Sequence, residues 1–337
     1  MFTIPLPAAV DENMRQNVFI GVDIGGTNLR AALVDGSGTI LESIRTQIRI
    51  DLGARAALDR LAAQCLILIR SARSRGLAPR AVGLGVAGKI DKLSHSVVFS
   101  PNLPAMRNYP LGSELHTRIG IPVFMENDAN CFGLGESFAG AARGIANWVG
   151  ITLGTGAGGC LFLDGRLWEG DGLGFSAEIG HMIVLPGGPP CPCGCRGCLE
   201  AFASATAVVR GARECIEQGI VLEGPLADLA RNGQLSAEAI HACARRGDAA
   251  SVSLFEKMGW ALGIALANVF SILGIRHAVL GGGVSAAWDF FSGSLHSSLS
   301  GNVSMLDPDL AVVTRGILGD NAALVGAARL ASIMVDS

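Results

Sequence analysis

The apolar positions of this chain fall in short runs separated by glycine-rich turns, a pattern that predicts alternating strands and helices. Residues 21–36 read Gly-Val-Asp-Ile-Gly-Gly-Thr-Asn-Leu-Arg-Ala-Ala-Leu-Val-Asp-Gly, and residues 150–165 read Gly-Ile-Thr-Leu-Gly-Thr-Gly-Ala-Gly-Gly-Cys-Leu-Phe-Leu-Asp-Gly. Laid over each other without gaps, both give strand, glycine turn, strand and an Asp-Gly link, the last a hairpin signal. Residues 121–125 (Ile-Pro-Val-Phe-Met) predict an apolar strand that runs into Glu126, Asn127, Asp128 and Asn130, with a helix over 129–139. A longer helix is expected over 249–273, followed by an apolar strand that ends in Gly281, Gly282 and Gly283. The stretch 321–335 is alanine-rich and apolar on more than one face, which predicts a buried helix. Residues 1–16 carry two prolines and no periodicity and are expected to form a loose tail.

Two related hairpins predict two related domains facing each other across a cleft, each offering backbone N–H groups to phosphate. Either turn alone would pass for an ordinary hairpin; the pairing carries the argument. Neither has the Walker pattern, and the glycines lead into a second strand, so neither a P-loop nor a dinucleotide-binding fingerprint is supported. Gly282 and Gly283 form a third patch, where a nucleotide's adenosine part could approach the backbone closely.

At 337 residues the chain is long enough for two domains. Half of it is hydrophobic, only 16% is charged, the net charge is -3, and no apolar run reaches the ~18 residues of a membrane span. A soluble α/β protein is expected, with no electrostatic reason for nucleic-acid binding. The opening Met-Phe-Thr-Ile-Pro-Leu-Pro lacks the basic and apolar regions of a secretory leader, so a cytoplasmic location is expected.

Chemistry concentrates between Glu178 and Glu200. Glu178-Ile-Gly-His181 is followed after nine residues by Cys191-Pro-Cys193-Gly-Cys195-Arg-Gly-Cys198-Leu-Glu200, placing four of the nine cysteines within eight residues. A disulfide loop is the alternative, but in a reducing compartment such a cluster with a nearby histidine reads as a zinc site. His181 has two ring nitrogens, one for a metal and one for a ligand. At 126–130, a strand delivers a carboxylate where α/β proteins place catalytic groups. Asn127 could orient a hydroxyl while Asp128 accepts its proton; the plainer reading makes Asp128 a helix N-cap.

These residues resemble the ROK family of repressors, open reading frames and sugar kinases, most closely its bacterial ATP-dependent glucokinases. The resemblance covers about residues 18–335 and rests on Asp23–Arg30, Ser100–Pro104, Glu126–Asn130, Leu153–Gly159, Glu178–His181 and Cys191–Glu200. It implies an actin-like (ribonuclease H-like) two-domain α/β fold and transfer of phosphate from ATP to a hexose 6-hydroxyl. Asp128 matches the catalytic base, and Asn102, Asn127, Glu178, His181 and Glu200 match sugar-contacting positions. Gly25, Gly26, Thr27, Gly154, Thr155 and Gly156 would cradle phosphates, and Asp23 would hold Mg2+ through water. The implied structural Zn2+ ligands are His181, Cys191, Cys193 and Cys198, with Cys195 left out. Departures include Ala87 where proline is common, Ala177 where glycine usually precedes Glu178, and Cys131 and Cys160 where small residues are usual.

Glucose is the expected substrate. An N-acetylhexosamine, fructose or allose kinase is the alternative, and a sugar-sensing repressor is a weaker one because only 22 residues precede Asp23. The family implies a homodimer. The expected organisation is a small domain over 17–128 completed by the C-terminal helix (320–337), and a large domain over 129–319 carrying the zinc loop.

Overall fold

The computed structural model describes residues 17–335, so the expected tail over 1–16 lies outside the described residues. The chain forms two compact units, one of residues up to 144 with 167–176 and 320 onward, the other of 145–166 and 177–319.

The first unit is built on a sheet of β1 (Asn17–Ile24), β2 (Asn28–Asp35), β3 (Ile40–Gln47), β4 (Ala78–Val86) and β7 (Val123–Asn127), ordered β3-β2-β1-β4-β7. β1, β2 and β3 pair antiparallel, while β1, β4 and β7 run parallel. β5 (Lys89–Asp91) and β6 (Ser96–Phe99) make a separate small hairpin.

Alternation assigns the two faces of the sheet. Val18, Ile20, Val22 and Ile24 enter one core with Leu58, Leu61 and Leu68 of α1 (Ala54–Ser74) and Leu111 and Leu115 of α2 (Leu111–Ile119). Phe19 and Phe124 point the other way, towards Leu324, Ala328 and Ala331 of the C-terminal helix α9 (Ala322–Val335). That helix lies so close to the sheet that a Cβ at Gly21 would land on the Leu324 carbonyl and one at Gly83 on that of Ala327.

The second unit repeats the plan. Its sheet runs β10-β9-β8-β11-β12, from β8 (Trp148–Leu153), β9 (Ala157–Leu163), β10 (Arg166–Leu167), β11 (His277–Gly281) and β12 (Val312–Arg315). β8 and β9 are antiparallel; β8, β11 and β12 are parallel. Val149, Ile151 and Leu153 share a core with Phe255, Met258 and Leu262 of α7 (Ala249–Leu273) and Phe291, Leu295 and Leu299 of α8 (Trp288–Asn302). Three shorter helices, α4 (Ala205–Glu217), α5 (Pro225–Arg231) and α6 (Ala237–Arg245), complete it. No helix among the described residues is long and apolar enough to cross a membrane.

Two sequence expectations need correction. The helix after β7, α3 (Asp128–Ala139), belongs to the first unit and not to the expected larger domain, so the division falls at 144/145 rather than 128/129. Glycines weld α3 to α9: a Cβ at Gly135 would meet the Ala322 carbonyl, and one at Gly326 the Cys131 carbonyl. The Asp-Gly signals also differ. Asp164 and Gly165, both left-handed (φ 51 and 75), make a two-residue link between β9 and β10. After β2 the link runs from residue 36 to 39, because the Asp35 carboxylate accepts from the N–H groups of Ser37 (2.9 Å) and Thr39 (3.0 Å) and stabilises a longer loop.

Candidate active site

In the first unit, the junction of β7 and α3 sets out the central residues. Val123 and Met125 face the core with α1 and α2, so the pleat puts Glu126 on the opposite face with Phe124; Glu126 is buried and Asn127 half-buried. Asn127 is the N-cap: its Oδ1 accepts from Ala129 N–H (2.8 Å) and Asn130 N–H (3.3 Å). The cap reading of Asp128 is thereby corrected. Asp128 is the first residue of α3 and half-buried, at the helix end where the backbone dipole favours a carboxylate. Asn127 Nδ2 donates to the Gly88 carbonyl (3.2 Å), pinning the junction to the segment between β4 and β5.

The first glycine turn links β1 to β2, closed by Gly25 N–H donating to the Asn28 carbonyl (3.0 Å). Asn102, itself exposed, abuts this turn, since a Cβ at Gly26 would sit 3.2 Å from the Asn102 carbonyl oxygen. Asp23 and Arg30 are register partners across the hairpin. Arg30 donates to Asp23 Oδ2 from Nε (3.0 Å) and Nη2 (2.5 Å), and from Nη1 to the Asp320 carbonyl (2.8 Å). Sequence reasoning passed over Arg30, although opposite charges facing each other across a tight hairpin are a readable signal.

The second unit carries the matching turn. Gly154 N–H donates to the Gly156 carbonyl (2.9 Å), while Ala205 N–H donates to the Gly154 carbonyl (2.8 Å) and the Thr206 hydroxyl to that of Thr155 (2.7 Å). Glu200 Oε2 accepts from Ala157 N–H (2.9 Å) and lies where a Cβ on Gly156 would go. Glu200 thus joins this turn to the cysteine loop, its Oε1 lying 3.9 Å from Cys191 Sγ.

In that loop, His181, Cys191, Cys193 and Cys198 bring one ligand atom each to within 4.8 Å of one another. Cys191 Sγ lies 3.7 Å from His181 Nδ1, and Cys193 Sγ 3.7 Å from Cys198 Sγ. A tetrahedron with ~2.3 Å metal–sulfur bonds has sulfur–sulfur edges of about 3.8 Å, so these spacings suit zinc. Cys195 is exposed and not among the four; its carbonyl accepts from Cys191 N–H (2.9 Å). The Cys195 N–H, with smaller contributions from the neighbouring thiols, draws the Cys193 thiol down to about 7, whereas burial pushes Cys198 up to about 12.

Glu178 is exposed and opens the one-turn 3-10 helix that ends in His181. Ahead of it, Ala177 holds a left-handed φ of 50. The glycine that the resemblance implies at this position has a physical reason, since a residue without Cβ adopts that conformation freely.

Gly282 packs on the end of β8, where a Cβ would land on the Leu153 carbonyl oxygen. Gly283 faces open space and lines a cavity of about 100 Å³ with Glu238, His241, Phe255 and Ala287. Glu238 and His241 were also missed, because they come from α6, far from the glycines in sequence. Burial first, then nearby Arg245, lowers the His241 pKa, and its ring meets Phe255 and Phe290 edge-on.

The chain thus carries two glycine turns, each joining an antiparallel pair of strands, a carboxylate at a helix N-terminus and a loop of histidine and cysteines. Residues 19–333 match the sequence model of the ROK family, and the chain belongs to that family. A glucokinase of Thermotoga maritima is 37% identical over 314 residues, covering 92% of this chain and 96% of that protein. The solved ROK family glucokinase of Streptomyces griseus in complex with glucose and AMPPNP is 35% identical, with a TM-score of 0.77, 94% of this chain and 99% of that one covered. A ROK hexokinase structure from Thermus thermophilus also gives a TM-score of 0.77 at 30% identity, covering 95% and 99%. The fold is the actin-like two-domain α/β fold of ROK sugar kinases.

Proposed function

We propose that this protein is an ATP-dependent hexose kinase that converts glucose to glucose 6-phosphate, with Asp128 as general base. The β7–α3 junction carries the reading: it presents Asp128 at a helix N-terminus and leaves the cap to Asn127, on a chain 37% identical to a glucokinase along most of its length. Phosphoryl transfer needs an activated acceptor hydroxyl, held phosphates and stabilised charge. Asp128 takes the proton of the 6-hydroxyl. The backbone N–H groups of Gly25, Gly26 and Thr27, and of Gly154, Thr155 and Gly156, bind phosphate oxygens; Gly282, Gly283 and the adjoining cavity take the adenosine part. Asn102, Asn127, Glu178, His181 and Glu200 bind the sugar, whose O–H donors satisfy the carboxylates.

Two metals fit the residues present. Asp23 has one oxygen taken by Arg30, leaving a single carboxylate oxygen, a donor set that suits a magnesium ion held mostly by water and phosphates. When bound, Mg2+ neutralises phosphate charge. His181, Cys191, Cys193 and Cys198 suit a structural zinc, bound on His181 through Nδ1, the nitrogen facing Cys191. His181 Nε2 then remains for the sugar.

The test is Asp128→Asn, which keeps shape and removes the base. Turnover falls about a hundredfold or more while glucose binding survives; near-wild-type turnover refutes the assignment. A panel of glucose, N-acetylglucosamine, N-acetylmannosamine, fructose and allose identifies the substrate, with glucose expected to lead by more than about tenfold in kcat/KM. A 2-acetamido sugar in front would replace glucose and leave the base in place.

A further inference from the structure

The residue before the Asn127–Asp128 pair is a buried carboxylate with an unexpected partner. Glu126 has 4% of its side chain exposed. Its Oε1 accepts from Asn127 N–H (2.8 Å) and Asn130 Nδ2 (3.0 Å), so it holds the backbone of the junction and the first turn of α3 together. Its Oε2 ion-pairs with Lys92, the residue immediately after β5.

Lys92 is gripped from the other side as well, with Nζ 2.5 Å from Glu169 Oε1. Glu169 belongs to the segment 167–176, which lies along β5: a Cβ at Gly174 would be 2.6 Å from the Ile90 carbonyl oxygen, and Lys89 Nζ stands 5.2 Å from the centre of the Phe175 ring. Residues on both sides of β5 therefore clamp the junction, Gly88 through a hydrogen bond to Asn127 and Lys92 through the ion pair with Glu126.

We infer that Lys92 is a positioning residue for phosphoryl transfer: it neutralises Glu126, and Glu126 in turn fixes the turn that presents Asp128. This rests on the reading of Asp128 as the base. The physical ground is that a carboxylate out of water needs a cation or a proton. Without Lys92, Glu126 is left buried beside no cation and is drawn towards solvent, so that Asn127 N–H and Asn130 lose their acceptor. Burial alone would lower the Lys92 pKa, but Glu126 and Glu169 outweigh it and raise the value above that of an ordinary lysine, so the side chain stays cationic.

The experiment compares three variants of the full chain with wild type in steady-state kinetics with glucose and ATP: Lys92→Met, Lys92→Arg and the double variant Lys92→Met with Glu126→Gln. Lys92→Met should lower kcat about ten- to a hundredfold, the scale of a small misplacement of a reacting group, with a smaller change in either KM. Lys92→Arg should recover most of the loss. The double variant should exceed Lys92→Met at least about fivefold in kcat, because glutamine keeps the Oε1 acceptor and needs no cation.

A Lys92→Met kcat within about twofold of wild type, or a double variant no better than the single, overturns the inference. Should Lys92→Met not fold, the double variant decides: folded and within about tenfold of wild-type kcat it supports the inference, and folded but down more than about a hundredfold it overturns it. Asp128→Asn separates the two readings. Retained turnover there removes the base assignment; loss there with Lys92→Met unimpaired removes only the role of Lys92.

Discussion

Replacing Arg30 by methionine tests how the first glycine turn is held. Arg30 and Asp23 face each other on β1 and β2, with 25% and 15% of their side chains exposed. Two guanidinium N–H groups converge on one Asp23 oxygen, and the third nitrogen reaches the Asp320 carbonyl just ahead of α9. Each hydrogen bond involving a charged group contributes ~1.5–3 kcal/mol, but two that share one acceptor count for less than their sum, and partial exposure weakens both. Methionine retains most of the apolar stem and adds no bulk, so the loss is electrostatic, about 2–3 kcal/mol. In a unit of this size that lowers the calorimetric transition by about 5–10 °C. Arg30→Lys restores the charge without the fork and should recover less than half. A double-mutant cycle with Asp23→Asn should show a coupling of at least about 1.5 kcal/mol. If Arg30→Met melts within about 1 °C of wild type, or the cycle shows no coupling, the pair does not hold the turn and this reasoning fails.

Elemental analysis should find about one zinc per chain; Cys191→Ser and Cys198→Ser should each lose the metal and glucose phosphorylation, whereas Cys195→Ser keeps both, and the reverse pattern would reassign the ligands. Ala177→Gly should raise stability by up to about 1 kcal/mol, since the left-handed conformation costs alanine ~1–2 kcal/mol and glycine's extra unfolded-state freedom returns only part of that; a loss in denaturant midpoint would show that the φ of 50 carries no strain. Gly326→Ala should cost at least about 2 kcal/mol, because the new methyl meets the Cys131 carbonyl and backbone cannot step aside as a side chain does. An unchanged melting temperature would show that α3 and α9 are not welded there.

The sequence exposes what is local. The hairpins, the 249–273 helix and the strand into Glu126 follow from periods and turn residues within a few positions. Asp128 was visible because a carboxylate sits at a strand end. That the cap falls to Asn127 was not, since asparagine and aspartate cap equally well and the outcome turns on where β7 stops. Lys92 could not be found, because its partner Glu169 is 77 residues away and nothing in composition links them. The placement of α3 was missed for a related reason: Gly135 and Gly326 read as weak helix positions, and only the facing backbone shows that they are contact points. Arg30 alone among the missed residues had a local signal, its register opposite Asp23.

The packing of α9 also bears on how the chain is made. This helix covers β1 and β4 and braces α3, yet it follows every other described element in the chain. During synthesis β1 and β4 therefore wait, with one face of their sheet uncovered, until α9 has emerged. The second unit, ended at residue 319, has all its residues before then. A chain cut after residue 319 and carried on a flexible linker long enough to clear the ribosomal tunnel should show protease resistance in the second unit and none in the first, reversing the usual order in which N-terminal regions fold first. A C-terminal deletion would act like a core mutation, removing Leu324, Ala328 and Ala331 from beneath the strands that carry the first glycine turn and Glu126.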